Sequence, residues 1–299
     1  VVTRILLSLL VLLHLPAWGE TTARCRLLPH AMGESCVPEQ PRRVAVLDTG
    51  ELDMALALGV TPIAATTAYQ VGQFPAYLAL ETPPVALGVM QEPDLERLLR
   101  LRPDLILGSR LRHGRLYPLL SGVAPTVFSE SVGAGWAENF RLFARALDRE
   151  PQAERRLAAI DARCRRIAAL HARKGYPTLS LVRSMQTHVR LYLSDSFVGS
   201  LLARCGLDRP ASQAGVGFAR QLASPRHIEA LDGDIILLSE YAPEKGSLVR
   251  RWQDSAFWSL LGGRLYEVDD GYWMLGIGPL AAEKVLMDLE RIIDDYHPR

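Results

Sequence analysis

The chain has 299 residues, 48% hydrophobic and 22% charged, enough for one large or two medium domains with real cores. Its 34 Lys and Arg balance 33 Asp and Glu, so no field of one sign points to nucleic acid or a charged membrane surface.

The first twenty residues, VVTRILLSLLVLLHLPAWGE, stand apart. One cation, Arg4, precedes an apolar run from Ile5 to Leu13, and Ala17 and Gly19 form a small-residue exit. That layout predicts a secretory signal peptide over residues 1–19, cut after Gly19. The apolar run falls short of the about 20 residues that a membrane-spanning helix needs. Arg24 rather than a small residue precedes Cys25, which argues against lipid attachment there. Loss of Arg4 with the leader would leave 33 basic and 33 acidic residues, a neutral mature chain. Four cysteines are an even set for an exported protein. Cys25 and Cys36 bracket RLLPHAMGES, whose central turn residues predict a hairpin and a bridge across it. Cys164 and Cys205 would pair if their segments pack side by side; free buried thiols are the alternative. The cysteine spacings match no common zinc pattern.

In chain order, RVAVLD (43–48) reads as a strand buried on both faces. ELDMALALGV (51–60) follows with helical spacing and Gly59 as a C-terminal stop, and TPIAATT (61–67) reads as a second strand. Strand, short helix and strand predict parallel α/β architecture. In EPDLERLLRLRPDLILGS (92–109), Leu95, Leu98 and Leu99 share a helix face, Pro103 ends the helix and Asp104 leads a strand. LYPLLSGVAPTVFS (116–129) adds another short helix and strand. The distal half repeats this order. SPRHIEALDGDIILLSEY (224–241) gives helix, turn and an Asp-led strand, and FWSLLGGRLYEVDD (257–270) matches LYPLLSGVAPTVFS. Two successive elements recurring in one order predict two related α/β lobes. Between them Leu157, Ile160, Cys164, Ile167 and His171 mark a helix from Gln152 to Lys174, about 35 Å long. The expected organisation is a first lobe over 20–134, a helical segment over 135–175 and a second lobe over 176–299. The connecting helix is a semi-rigid spacer, which disfavours large independent lobe motion.

Catalytic motifs are missing from this pattern. No GxSxG elbow and no Walker-type phosphate loop occurs. GVGFA (215–219) and GIGP (276–279) lack a third glycine and a strand-to-helix setting, and the histidines are scattered, so no metal site is expected.

Taken together, HAMGESCVPEQPRRVAVLDTGELDMALALGVTPIAA, EPDLERLLRLRPDLILGS, VRLYLSDSFVGSLLARCGLDRP and GGRLYEVDDGYWMLGIGPLAAEKVLMDL resemble periplasmic substrate-binding proteins of the iron–siderophore type, which serve ABC importers. The resemblance spans nearly the whole chain after the leader, and its most specific part is the aromatic pair before GIGP. It implies two Rossmann-like lobes joined by one long helix, a ligand cleft between them, a periplasmic monomer and no enzymatic activity. It implies a ferric siderophore as transported ligand, no permanently bound cofactor and an inner-membrane permease as partner. The ligand residues it implies are Tyr69, Arg110, Arg112, Arg183, Phe218, Arg220, Tyr241, Tyr272 and Trp273, with His113 beside them in the loop after DLIL. Aromatic side chains suit the organic rim of such a complex, and arginines suit its exposed oxygens. The arginine count favours an anionic complex over a neutral hydroxamate. Docking to the permease would use Glu96 in the first lobe. In the second, Arg226 stands where the family has an acid, and Glu229 is one turn on. Haem or a cobalamin is the alternative ligand, and His113 or a loop tyrosine would be the axial ligand for haem. An exported α/β enzyme and a sensor subunit are the rival functions.

Overall fold

The computed structural model describes residues 25–68 and 72–298; the leader expected over 1–19 and Tyr69 lie outside the described residues. A hairpin opens it, β1 (Cys25–His30) antiparallel to β2 (Gly33–Pro38), and Cys25 and Cys36 form the disulfide that crosses it. The first lobe then runs β3 (Val44–Val46), α1 (Thr49–Ala57), β4 (Ala64–Thr67), β5 (Val85–Val89), α2 (Leu95–Leu101), β6 (Leu105–Ser109), α3 (Arg110–His113), α4 (Tyr117–Ser121) and β7 (Thr126–Ser129). Its five strands lie in the order β5-β4-β3-β6-β7, all parallel. The apolar runs of β3, β4 and β6 are buried throughout, as strands covered on both faces must be.

Two helices follow, α5 (Trp136–Leu147) and α6 (Glu150–Arg173). Asp148 adopts a left-handed conformation (φ 57°) that ends α5, and Pro151 lies in the first turn of α6, where its missing N–H costs nothing. The buried stripe of α6 is Ala153, Leu157, Ile160, Cys164, Ile167 and His171, the period seen in the sequence. The second lobe comprises β8 (Leu179–Ser184), β9 (Val189–Tyr192), α7 (Phe197–Arg204), β10 (Ala219–Leu222), β11 (Ile235–Glu240), α8 (Leu248–Gln253), β12 (Arg264–Val268) and α9 (Pro279–Asp295). Its strand order, β10-β9-β8-β11-β12, repeats that of the first lobe.

The recurring DLILGS and DIILLS are β6 and β11, each beside the first strand of its sheet. The leading aspartate does the same work twice. Asp104 accepts from the backbone N–H groups of Arg42 and Arg43 (2.8 and 2.9 Å) just ahead of β3. Asp234 accepts from Thr178 N and Thr178 Oγ1 (2.8 and 2.7 Å) just ahead of β8. Each carboxylate satisfies donors at the entrance to the neighbouring strand and pins the register of the two.

The lobes differ in three respects from the sequence reading. The second sheet is mixed: β9 runs antiparallel to both β8 and β10. Only Met185–His188 separates β8 from β9, and a connection that short makes a hairpin, never a parallel crossover. The segment Pro225–Leu231 is a pair of 3₁₀ turns kinked at His227 rather than an α-helix. The lobes also meet through more than α6. Helix α9 lies along it, and the pairs Arg156–Glu283 (2.9 Å) and Arg163–Glu290 (2.6 Å) repeat at seven-residue spacing on both helices, so the two run parallel. At its N-terminus α9 reaches the first lobe, where Asp53 of α1 accepts from Leu280 N and Ala281 N (both 2.9 Å) and from Tyr77 Oη (2.7 Å). The approach is close enough to require Gly278, since a Cβ there would fall 2.3 Å from Asp53 Oδ1. The second disulfide, Cys164–Cys205, ties α6 to the end of α7.

Candidate functional site

In an open α/β sheet, ligands bind beyond the carboxyl ends of the strands. Here the carboxyl ends of the parallel strands, together with antiparallel β9, which starts at the same end, carry residues of both lobes into one cleft of about 290 Å³. Thr49 follows β3, Met90 follows β5 and Arg112 follows β6 on one side; Arg183 from β8, Arg190 and Tyr192 from β9, and Met274 form the other. The size and the mixture of apolar wall with a few polar groups are those of a small-molecule site.

Charge in the cleft is set by pairing. Arg112 Nε lies 2.5 Å from Oδ2 of buried Asp48. Behind it, Glu51 is buried, and burial together with the Asp48 charge pushes its carboxyl up to about 8, which favours its neutral form. Arg183 grips Asp270 with two bonds, Nε to Oδ1 (2.6 Å) and Nη2 to Oδ2 (2.5 Å), and its guanidinium stacks over Tyr241 at 4.9 Å. Ser239 Oγ donates to the same aspartate. Arg183 Nη1 also donates to Tyr192 Oη (3.3 Å). Arg190 differs. Opposite Arg183 in the β8–β9 register, it has no carboxylate partner among the described residues, and its Nε donates to His188 Nε2 at 3.2 Å.

A family model described as "Periplasmic binding protein" matches residues 44–257, which span both lobes. The chain belongs to the periplasmic binding protein family. It is therefore an extracytoplasmic binding protein, and among the described residues no helix is long and apolar enough to cross a membrane. It is similar to a probable siderophore-binding lipoprotein, YfiY, of Bacillus subtilis (30% identity; 90% of this chain and 88% of that one). The achromobactin-binding periplasmic protein of Dickeya dadantii is 30% identical over 89% of this chain and 92% of its own. Among solved structures, Staphylococcus aureus SirA complexed with staphyloferrin B superimposes with a TM-score of 0.81 at 25% identity, covering 90% of this chain and 98% of that one.

Within this periplasmic binding protein, the residues singled out in the sequence fall into three groups. Arg112, Arg183 and Phe218 line the cleft. Phe218 is half exposed at its rim and meets Tyr192 edge-on (5.5 Å). Tyr241 lies under the Arg183 guanidinium. Four others point elsewhere. Arg110 pairs with Glu130, and Arg220 Nη1 donates to Ser212 O (2.9 Å). Tyr272 Oη and Trp273 Nε1 both donate to Asp288 Oδ2 (2.8 and 2.9 Å), and Trp273 is 1% exposed. The aromatic pair expected in the cleft is thus part of a five-residue π-helical turn that packs on α9, because Asp288 captures both polar ends. Trp273 instead lines a cavity of about 30 Å³ that shares Tyr192 and Phe218 with the cleft wall.

His113, the histidine considered as an axial ligand, is wholly buried. Its Nε2 bonds Met90 O (2.9 Å) and its Nδ1 accepts from Ser109 N (3.4 Å), so neither nitrogen is free for iron. Reading loops alone missed Arg190 and Tyr192. Their signal was the alternation in VRLY, which sends residues 190 and 192 to one face of a strand. Glu96 opens α2 and is exposed, paired with Arg100 (3.7 Å); Glu229 is exposed in the 3₁₀ pair of the second lobe.

Proposed function

We propose that this protein captures a ferric siderophore or ferric-citrate complex in the interlobe cleft and passes it to the permease of an ABC importer. Relatives bind such complexes: besides those above, the Fe(3+) dicitrate-binding periplasmic protein FecB of Escherichia coli is 27% identical over 87% of each chain. The observation that carries the reading is a cleft whose apolar wall, with Met90, Tyr192 and Phe218, surrounds a guanidinium, that of Arg190, with no carboxylate partner among the described residues. Aromatic and thioether groups cover an organic rim, and Arg190 meets an exposed anionic oxygen. Residues 20–134 and 176–299 act as the two jaws, joined through 135–175. The leader over residues 1–19 exports the chain to the periplasm. Glu96 and Glu229, on the elements that precede the two equivalent strands β6 and β11, serve as docking acids on either lobe.

Tryptophan fluorescence tests the reading, because Trp273 lies one wall behind the cleft. Ferric citrate, a ferric catecholate, haem and cobalamin are titrated in parallel. Saturable quenching by a ferric complex at micromolar affinity or tighter, about −8 kcal/mol, is expected. Saturation by haem or cobalamin alone overturns the ligand class.

A further inference from the structure

In the β8–β9 hairpin Arg183 and Arg190 stand directly opposite each other. Like charges in that arrangement repel across the few ångströms of a cross-strand pair, and folding alone gives no reason to retain both. Arg183 is compensated in full by Asp270. Arg190 is held by a neutral acceptor instead. His188 precedes it by two residues, just ahead of β9, and its Nε2 accepts a hydrogen bond from Arg190 Nε at 3.2 Å while Nδ1 meets Thr187 Oγ1 at 3.2 Å. An imidazole that accepts at Nε2 carries its proton on Nδ1, which makes Thr187 the acceptor at that end. One edge of the guanidinium is thereby fixed and its Nη1 and Nη2 edge is left for the cleft, which Arg190 lines. A carboxylate at position 188 would orient Arg190 as well but would cancel its charge; a neutral imidazole orients it and leaves the charge in place. Of the charged side chains on the elements beside this turn, Arg251 donates to Gln186 O, and Glu240, paired with Ser184 in the sheet, is engaged by Arg250.

On the ferric-complex reading above, we propose that Arg190 is the residue that selects the anionic oxygens of the ligand, and that His188 is its positioning residue, holding it by a neutral hydrogen bond. Burial and the Arg190 charge keep His188 below the ordinary histidine range, so the neutral form persists at neutral pH.

The test uses the full protein with ferric citrate as the anionic probe and ferrichrome as a neutral ferric trihydroxamate. At pH 7, R190A weakens ferric citrate by about 10- to 100-fold, the value of a hydrogen bond to a charged group, and changes ferrichrome by less than about threefold. H188A weakens ferric citrate several-fold, and H188Q, whose amide oxygen can accept from Arg190, recovers most of the loss. Equal loss for both complexes in R190A, or no recovery in H188Q, overturns the proposal. Imidazole nitrogen spectra give an answer that needs no ligand: His188 is the Nδ1-protonated tautomer, and R190A raises its pKa. A His188 titration indifferent to R190A overturns the positioning role. If the wild type binds neither complex and no ferric catecholate either, the ferric-complex reading fails and selection by Arg190 with it, while the spectra still decide whether His188 holds the guanidinium.

Discussion

Replacing Asp53 by Asn probes how the two lobes are held together. Asp53 is fully buried, and burial is the main cause that raises its carboxyl from 3.8 to about 6, against the opposing bonds from Tyr77, Leu280 and Ala281. An acid whose folded pKa lies above its unfolded value stabilises the fold most below the unfolded pKa, and that contribution is lost as pH rises through the folded pKa. The shift corresponds to about 3 kcal/mol lost in full above about pH 6, at 1.36 kcal/mol per pH unit. Asn cannot ionise. It retains an acceptor for the N-terminus of α9 but leaves one of the two backbone N–H groups unpaired, a cost of about 1–2 kcal/mol at any pH. The free-energy difference between wild type and D53N should therefore move in favour of Asn by about 2 kcal/mol between pH 4.5 and pH 7, a window that covers most of the titration. Urea unfolding of both proteins across that window measures it. A difference that stays flat with pH would refute the reasoning, since it would mean that Asp53 titrates alike in the folded and unfolded chains. Asp53→Ala supplies the control: it strands all three donors and should destabilise by about 3 kcal/mol or more at both ends of the window.

Arg183→Ala leaves Asp270, whose side chain is only 16% exposed, without its partner, and should cost about 3–5 kcal/mol in unfolding experiments as well as weakening ligand. Loss of affinity with unchanged stability would show that the pair does not hold the second lobe together. Among the disulfides, Cys164–Cys205 closes a separation of 41 residues and Cys25–Cys36 one of 11, which in the chain-entropy picture correspond to about 4 and about 3 kcal/mol. Thermal unfolding of C164S/C205S should accordingly fall further than that of C25S/C36S; the reverse order would place the larger contribution in native packing around the hairpin.

Much of the fold was legible because the repeat is physical. The aspartates of DLILGS and DIILLS satisfy N–H groups at the entrance to the adjacent strand in both lobes, so the motif reports a pairing and not a chance run. The stripe on α6 and the Cys25–Cys36 bridge were likewise readable, one from period and the other from a hairpin turn, whereas Cys164–Cys205 stayed open because it depends on α6 packing beside α7, which local spacing does not report. The site was less so. Residue type marks Arg110, Arg112 and Arg183 equally as cations, yet Glu130, Asp48 and Asp270, distant in sequence for two of the three, decide how much charge each presents. The same holds for Tyr272 and Trp273, drawn away from the cleft by Asp288, 16 and 15 residues along the chain.

The one large departure from the repeat is also where the cleft acquires its chemistry. In the first lobe the step from β3 to β4 passes through α1, and the strands pair in parallel with Val46 beside Ala65, small apolar residues that only pack. In the second lobe the equivalent step is a hairpin of β8 and β9, and the antiparallel register brings Arg183 against Arg190. A parallel crossover would have carried the chain to the far end of the sheet before β9 began, and the residues at its start would sit away from the cleft. The hairpin starts β9 at the cleft end instead, so that Arg190 and Tyr192 fall on one face beside the end of β8, with His188 just ahead of them. Replacing a helix by a four-residue turn thus converts a packing strand into a binding strand while the strand order stays the same. Two lobes of one strand order can then divide the work: the first closes the cleft with a compensated Arg112, and the second supplies the charge that the ligand completes.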